Sequence, residues 1–352
     1  VSNGELGQTA AWYQRFADNE AAGASAIYEA WARGVVGDAE VVALIDELPR
    51  LHRQPNLIFA VSRLLGAPEG DYPGWRTWLL SHWPAVRAEA SLKLTQTNEP
   101  GRVAALLPAL AMIPGPLALL EVGAAAGLCL YPDRYSVSFD GAPPLNPLNP
   151  RCGASGDSGA RGDSGDSGDS DESAVMLTTR TTGAVPIPKE LPNVVWRAGL
   201  DLYPLDVAND ADMKWLVTLS WPEHHERRAR IEAAITIARE DPPTIVRGDA
   251  VDALSALAAT APAGATLVII SAGVLVYLPP IDRERFEHLA LQHVAAGARW
   301  VSLEGAAVLP GVESKLPAAR PPATGPGLFV LALDGEPLAW VGPHGQHIHW
   351  LS

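Results

Sequence analysis

The sequence predicts an α/β protein: a Rossmann-like, mostly parallel sheet preceded by a helical cap. Three observations carry this expectation. Short apolar runs alternate with helical patterns from Leu117 onward, a small-residue turn follows the first run, and an acid ends several of the runs. Alternating strand and helix is the pattern of a parallel sheet whose carboxyl edge binds ligands.

The chain first reads as helical, over about residues 1–116. Trp12, Phe16, Ile27, Tyr28 and Trp31 recur at helical spacing within Ala11–Arg33. Val41–Leu48, Asn56–Leu65 and Arg102–Met112 repeat that character, and Gly/Pro breaks fall at Gly66–Gly74 and Pro114–Pro116. Leu117–Val122 is the first apolar strand of a domain spanning 117–352, and a turn and a short helix from about Gly127 are expected next. Tyr135–Asp140 alternates like a half-exposed strand, and Ala174–Thr181 is read as its partner in a β-hairpin inserted at about 133–190. Between them, Gly153–Glu172 repeats Gly-Asp-Ser and has too little apolar content to repay ordering. Disorder is the reading of that loop, with calcium binding by its aspartates the alternative.

Strands are then expected at Asn193–Gly199 running to Asp201, Thr244–Arg247, Thr266–Ser271 and Arg299–Glu304. Helices are expected at Ala211–Leu219, Glu223–Arg239, Val251–Ala258 and Arg283–Ala295. Gly327–Leu333 and Pro337–Val341, flanking Asp334-Gly335, read as an antiparallel hairpin closing the sheet's C-terminal edge.

Composition narrows the function. The 352-residue chain is 47% hydrophobic with net charge −14, which disfavours nucleic acid because phosphate binding needs clustered Lys and Arg. Neutral or cationic small-molecule partners fit that field better. Two cysteines, Cys129 and Cys152, make no disulfide framework. No basic-then-apolar opening is seen, and Leu267–Leu278 is too short to span a bilayer. These features predict a cytoplasmic protein with no membrane partner; its oligomeric state is left open.

The chemistry centres on Leu120-Glu121-Val122-Gly123-Ala124-Ala125-Ala126-Gly127-Leu128. Gly123 can take positive φ, and Gly127 would let a helix begin against a ligand. No Gly-Lys-Ser/Thr follows, which excludes a P-loop, and the glycine register does not match the dinucleotide fingerprint. Asp201 and Asp249 end later strands, where they could accept from ribose and adenine groups, or cap the next helix. Gly248, Ala250, Ser271 and Ala272 are the small neighbours expected beneath a nucleoside, and Leu202 follows Asp201. Asp140 is the alternative ribose ligand, about 20 residues beyond the glycine turn; Asp201 is preferred because Asp140 ends the inserted strand.

The order Glu-x-Gly-x-x-x-Gly, Gly-x-Asp-x-x-Pro, Gly-Asp-Ala, then Val274–Leu278 resembles a class I S-adenosylmethionine-dependent methyltransferase. The whole chain also resembles an uncharacterised, methyltransferase-like bacterial family found mainly in actinomycetes, a domain of unknown function. That likeness rests on Arg53–Asn56, Thr95–Glu99, Asp133–Tyr135, Gly199–Asp201 with Pro204–Asp206, and Trp221–Glu223. It implies a class I methyltransferase sheet, S-adenosylmethionine as cofactor, and transfer to a small-molecule oxygen or nitrogen. Glu121, Gly123, Ala124, Ala125, Gly127, Asp201, Leu202, Gly248, Asp249, Ala250, Ser271 and Ala272 would then hold the cofactor. Where the likeness leads one to expect serine and asparagine, the chain has Ala125 and Cys129.

Methyl transfer needs positioning and, for some acceptors, a base. His224, Tyr277 and Glu304 are the catalytic candidates. Ser220-Trp221-Pro222-Glu223 also matches a capping box, a structural alternative for the corner beside His224. Gln54, Asn56, Asn98, Glu99, Arg102 and Trp221 are candidate substrate contacts in a cap, or else loop and interdomain hydrogen bonds. His344, His347 and His349 lack a Cys pair or acidic ligand nearby, so no metal site is expected. Two rivals remain: a non-catalytic nucleoside-binding module with this fold, and a nicotinamide-dependent oxidoreductase.

Overall fold

The computed structural model describes residues 7–147, 173–318 and 327–351. The Gly-Asp-Ser loop and Cys152 lie outside the described residues. Two compact units divide the chain: Val1–Thr97 with Ala208–Glu232, and Asn98–Val207 with Ala233–Ser352.

The first unit is helical. Helices Gln8–Phe16 and Ala26–Val36 are separated by a π-turn and by Gly23 at φ 73°, so the expected run over Ala11–Arg33 is broken. Helices Ala39–Ile45 and Pro55–Leu64 match expectation closely. The longest helix among the described residues, Tyr72–Ala90, is absent from the sequence reading because Pro73, Gly74 and Pro84 punctuate it. Pro73 sits in the first turn, where its missing N–H costs nothing. Trp75, Leu79, Trp83, Val86 and Ala90 form its buried stripe at helical spacing. Trp31 stacks on Trp75 at 5.2 Å, and Phe59 meets both edge-on at 5.4 and 5.3 Å. These rings form the core of the unit.

The second unit holds a ten-stranded sheet. Its strands are β1 (Leu117–Val122), β2 (Ser136–Phe139), β3 (Met176–Thr182), β4 (Val194–Asp201), β5 (Thr244–Arg247), β6 (Thr266–Ala272), β7 (Arg299–Gly305), β8 (Phe329–Leu333), β9 (Glu336–Val341) and β10 (His347–Trp350). Their spatial order is β2-β3-β10-β9-β8-β7-β6-β1-β4-β5. β5-β4-β1-β6-β7 is parallel throughout. After β1 the chain forms β2 and β3 at the far end of the sheet, then adds β4 on one side of β1 and later β6 on the other, so strand order reverses at β1–β6, a topological switch point where open α/β sheets form a ligand crevice. All six residues of β1 are buried. A strand covered on both faces reads as a continuous apolar run, which Leu117–Val122 nearly is.

Two sheet expectations are corrected. β2 and β3 pair in parallel, not as a hairpin, and β2 is fully buried rather than half-exposed. The chain between them exceeds the dozen residues a parallel return requires, so length permits either pairing. β8 and β9 do form the expected hairpin, and Asp334 (φ 56°) and Gly335 (φ 81°) make its tight turn. That hairpin does not close the sheet edge. β10, unseen in the sequence, pairs with β9 on one side and with β3 on the other, leaving β2 as the edge. No helix among the described residues is long and apolar enough to cross a membrane.

Candidate functional site

The carboxyl ends of β1, β4, β6 and β7 bring Glu121, Asp201, Ser271, Ala272 and Glu304 to one edge. Gly123 (φ 70°), Ala125 (φ 51°) and Gly127 (φ 75°) turn the chain sharply after β1. Left-handed backbone is unusual for a residue with a Cβ and costs about 1–2 kcal/mol. The strain at Ala125 is held by two neighbours: its N–H donates to Asp201 Oδ2 at 2.8 Å, and its carbonyl accepts from Leu205 N at 3.1 Å. Ala125→Gly is therefore expected to be neutral or to stabilise by up to about 1 kcal/mol, whereas Ala125→Val costs about 2 kcal/mol. Urea unfolding of the two variants checks the opposite signs.

The turn differs from expectation in two respects. No α-helix follows; Leu128–Leu130 is a single 3₁₀ turn, halted before Pro132, whose ring disfavours helical backbone at Tyr131. A helix N-terminus at Gly127 is therefore absent. The glycines also serve protein packing. A Cβ on Gly123 would lie 2.2 Å from Val274 Cγ2, and one on Gly127 would lie 2.8 Å from Pro243 Cγ.

Asp201 joins the turn to β4. Its Oδ1 accepts from Tyr203 N at 2.8 Å, beside the half-exposed Leu202 and Tyr203, each 54% exposed. Asp249 is exposed, and its Oδ1 accepts from Val251 N and Asp252 N at 2.7 and 3.3 Å in a local Asx turn; it caps no helix, because the helix expected from Val251 starts only at Leu254, with Ala253 before it. Gly248 donates to Asp201 O at 3.0 Å, and a Cβ there would meet Ala253. Ala250 packs against the core. Asp140 lies at the far end of the sheet, where its carboxylate binds the N–H and hydroxyl of Thr181 and so ties β2 to β3. This placement separates it from the glycine turn, for a reason the sequence does not contain: β2 belongs to the opposite edge.

Beneath the turn lies a buried charged cluster. Glu121 and Glu304 are 3% and 2% exposed, and Arg102 is 7% exposed. Burial pushes the Glu121 carboxyl up to about 8 and Glu304 up to about 7, against the opposing pull of Arg102 on both. Nearby Asp201 raises Glu121 further. Glu304 is anchored by Val274 N at 3.2 Å and Leu275 N at 3.3 Å, while Glu121 Oε2 has no hydrogen-bond partner. Arg102 donates to Ala272 O at 2.6 Å and Pro343 O at 3.1 Å, clamping the end of β6. Asn98 Oδ1 accepts from Leu128 N at 2.8 Å, and Cys129 Sγ donates to Glu99 O at 3.3 Å. Thus Asn98 and Glu99 support the turn and Arg102 the end of β6, all from within the sheet unit. Sequence reasoning saw Arg102 only as a cap residue; two glutamates ending apolar strands were the signal that a buried cation must serve them.

Other candidates fall in the helical unit. Trp221 Nε1 donates to Asn56 Oδ1 at 2.9 Å, and Gln54 Oε1 accepts from the Thr95 hydroxyl at 2.7 Å. His224 stacks on Trp221 at 5.3 Å and its Nε2 donates to Ala24 O at 3.0 Å. The expected capping box is not formed: helix His225–Glu240 starts later, and Glu223 instead accepts from the Ser25 hydroxyl and Ile27 N at the start of helix Ala26–Val36. Tyr277, in the sheet unit, is 64% exposed. His349 Nδ1 lies 2.7 Å from the Thr182 hydroxyl, and no cluster of metal-ligating side chains occurs among the described residues.

No curated protein and no solved structure matches the chain. A family model described as an uncharacterized protein conserved in bacteria (DUF2332) matches residues 10–350, and the chain belongs to that family.

Proposed function

We propose that the protein is an S-adenosylmethionine-dependent methyltransferase for a small-molecule acceptor, methylating oxygen or nitrogen. The observation that carries this reading is Asp201. It ends the strand beside β1, one hydrogen bond from the glycine turn, where a carboxylate can accept from ribose hydroxyls. Leu202 and Tyr203 offer exposed apolar surface next to it for an adenine ring. The buried Glu121, pushed up to about 8, lies at the end of β1 on the same edge.

The residues fit the nucleoside end of such a cofactor, while Gly123 provides no cradle because Val274 fills that space. Bound S-adenosylmethionine would supply an electrophilic methyl group. Asp201 would orient the ribose, and Glu304, pushed up to about 7, is the carboxyl best tuned to take a proton from an acceptor near neutral pH. Tyr277, exposed in the same unit, is a further candidate for contact with the acceptor. A small-molecule acceptor, no nucleic-acid partner and a cytoplasmic location complete the reading.

Calorimetric titration with S-adenosylmethionine and S-adenosylhomocysteine tests it. Micromolar binding by the wild type, weakened at least about tenfold in Asp201→Ala, is expected for the loss of two charge-assisted hydrogen bonds. Absence of wild-type binding overturns the proposal. The short 3₁₀ turn and the filled space over Gly123 favour one second reading, a nucleoside-binding module without catalysis. Binding without turnover across an acceptor panel would select it.

A further inference from the structure

A cavity of about 410 Å³ lies wholly within the helical unit. That volume falls within the roughly 300–1,000 Å³ of small-molecule pockets. Helix Gln8–Phe16 lines it with Gln8, Ala11, Trp12 and Arg15, spaced i, i+3, i+4 and i+7 and therefore on one face. The 3₁₀ turn Arg50–Arg53 contributes its first and last residues, which eclipse at three residues per turn. Ala11 is the short side chain of the helical face, and it lies between Gln8 and Arg15.

The charge of this lining runs against that of the chain. Three arginines face the cavity and no carboxylate of the described residues does, in a protein with 40 acidic and 26 basic residues. One arginine is already neutralised. Arg53 Nη1 pairs with Asp46 Oδ1 at 2.6 Å, and its Nε and Nη2 donate to Leu48 O and Asp46 O at 2.6 and 2.8 Å. The Thr9 hydroxyl donates to the same Asp46 oxygen at 2.6 Å. Through Asp46, helix Gln8–Phe16 and the 3₁₀ turn are tied together, so the two walls are fixed before a ligand arrives.

Arg15 and Arg50 differ from Arg53. Both are exposed, and neither has a hydrogen bond or ion pair with a described residue. Trp12 is half-buried and makes no ring contact with a described residue. A single solvated arginine is ordinary on a protein surface. Two from separate elements, facing one cavity beside an open indole, define a ligand by its charge. Guanidinium and indole N–H groups donate and do not accept. A monovalent carboxylate would leave one guanidinium unanswered. A phosphate monoester carries about −1.5 to −2 charge at neutral pH on oxygens that accept from arginine, and an aromatic body would lie against Trp12.

We propose that this cavity binds a small aromatic phosphate monoester, its phosphate held by Arg15 and Arg50 and its ring against Trp12. The site lies outside the sheet unit and stands if the cofactor reading fails.

The test titrates the intact protein with phenyl phosphate, phenyl sulfate, isophthalate and inorganic phosphate by calorimetry, with the Trp12 indole N–H followed by NMR. Phenyl phosphate is expected to bind tighter than about 1 mM, about tenfold tighter than the monoanionic sulfate and several-fold tighter than inorganic phosphate, which lacks a ring. Arg15→Gln and Arg50→Gln should each weaken binding about tenfold and leave urea unfolding unchanged, because neither side chain holds another residue. Ala11→Met keeps every charge, fills the space and should abolish binding. Arg180→Gln, an equal loss of charge at an exposed position of β3, should have no effect. The ligand series needs no variant, so it stands even if a substitution unfolds the chain. No binding of phenyl phosphate tighter than about 1 mM, equal affinity for phenyl sulfate or isophthalate, or an equal loss in Arg180→Gln would overturn the proposal.

Discussion

Arg102→Ala is expected to lose about 3 kcal/mol or more of stability, the largest effect of any single change at the sheet's carboxyl edge. Arg102 is nine-tenths buried and donates to two backbone carbonyls, Ala272 O and Pro343 O. Hydrogen bonds from a charged donor contribute about 1.5–3 kcal/mol each, and a buried acceptor left without its donor adds its desolvation cost. The same guanidinium supplies the cation that favours ionisation of both Glu121 and Glu304. Without it, both carboxyls move still higher and remain protonated over more of the neutral range. Arg102→Lys keeps the charge but not the fork, so it should recover only part of the loss. Urea unfolding of the two variants decides the point, and equal stability of Arg102→Ala and wild type would refute the clamp.

The second large effect is a reversed pH dependence. Glu121 titrates at about 8 and Glu304 at about 7 in the folded protein, against an ordinary 4.5. The folded state thus holds its protons more tightly than the unfolded chain does. Between pH 4.5 and these values the folded form binds more protons, so unfolding free energy falls as pH rises. The contribution of the two groups is fully present below about 4.5 and is lost as pH passes through 7 and then 8. Together it amounts to several kcal/mol, on the order of 1.4 kcal/mol for each displaced pKa unit. Melting temperatures at pH 5.5 and 8.5 should show the decline. The Glu121→Gln/Glu304→Gln double variant should flatten it, because a neutral amide has nothing to ionise. An unchanged slope in that variant would locate the effect elsewhere.

Much of the sheet was legible because local pattern and burial agree. β1, β6 and β7 fall within a residue of their expected spans, since a strand buried on both faces appears as a bounded apolar run. Thr244–Arg247 also occupies its expected span, although it is a largely exposed edge strand. Helix Tyr72–Ala90 was hidden for the opposite reason. Proline and glycine punctuate its sequence, yet Pro73 falls in the first turn and five large or small apolar residues still bury one stripe. β10 was missed because His347-Ile348-His349-Trp350 offers only four residues and one fully buried side chain. Such a strand exists by virtue of its neighbours, β9 and β3, rather than its own propensity.

The sequence by itself determined the alternation of strands and helices, the small-residue turn after β1, and the acids at strand ends. These are local properties, written in spacing and residue type. Only the tertiary structure decided that β2 and β3 run parallel, that Asp140 belongs to the far edge while Asp201 meets the turn, and that Arg102 answers two buried glutamates. Each of those depends on which segments become neighbours, and pairing between residues distant in the chain leaves no period in the sequence. The same holds for the glycines. Their positive φ was readable, but the identity of the atoms filling the space above them, Val274 and Pro243, was set by packing alone.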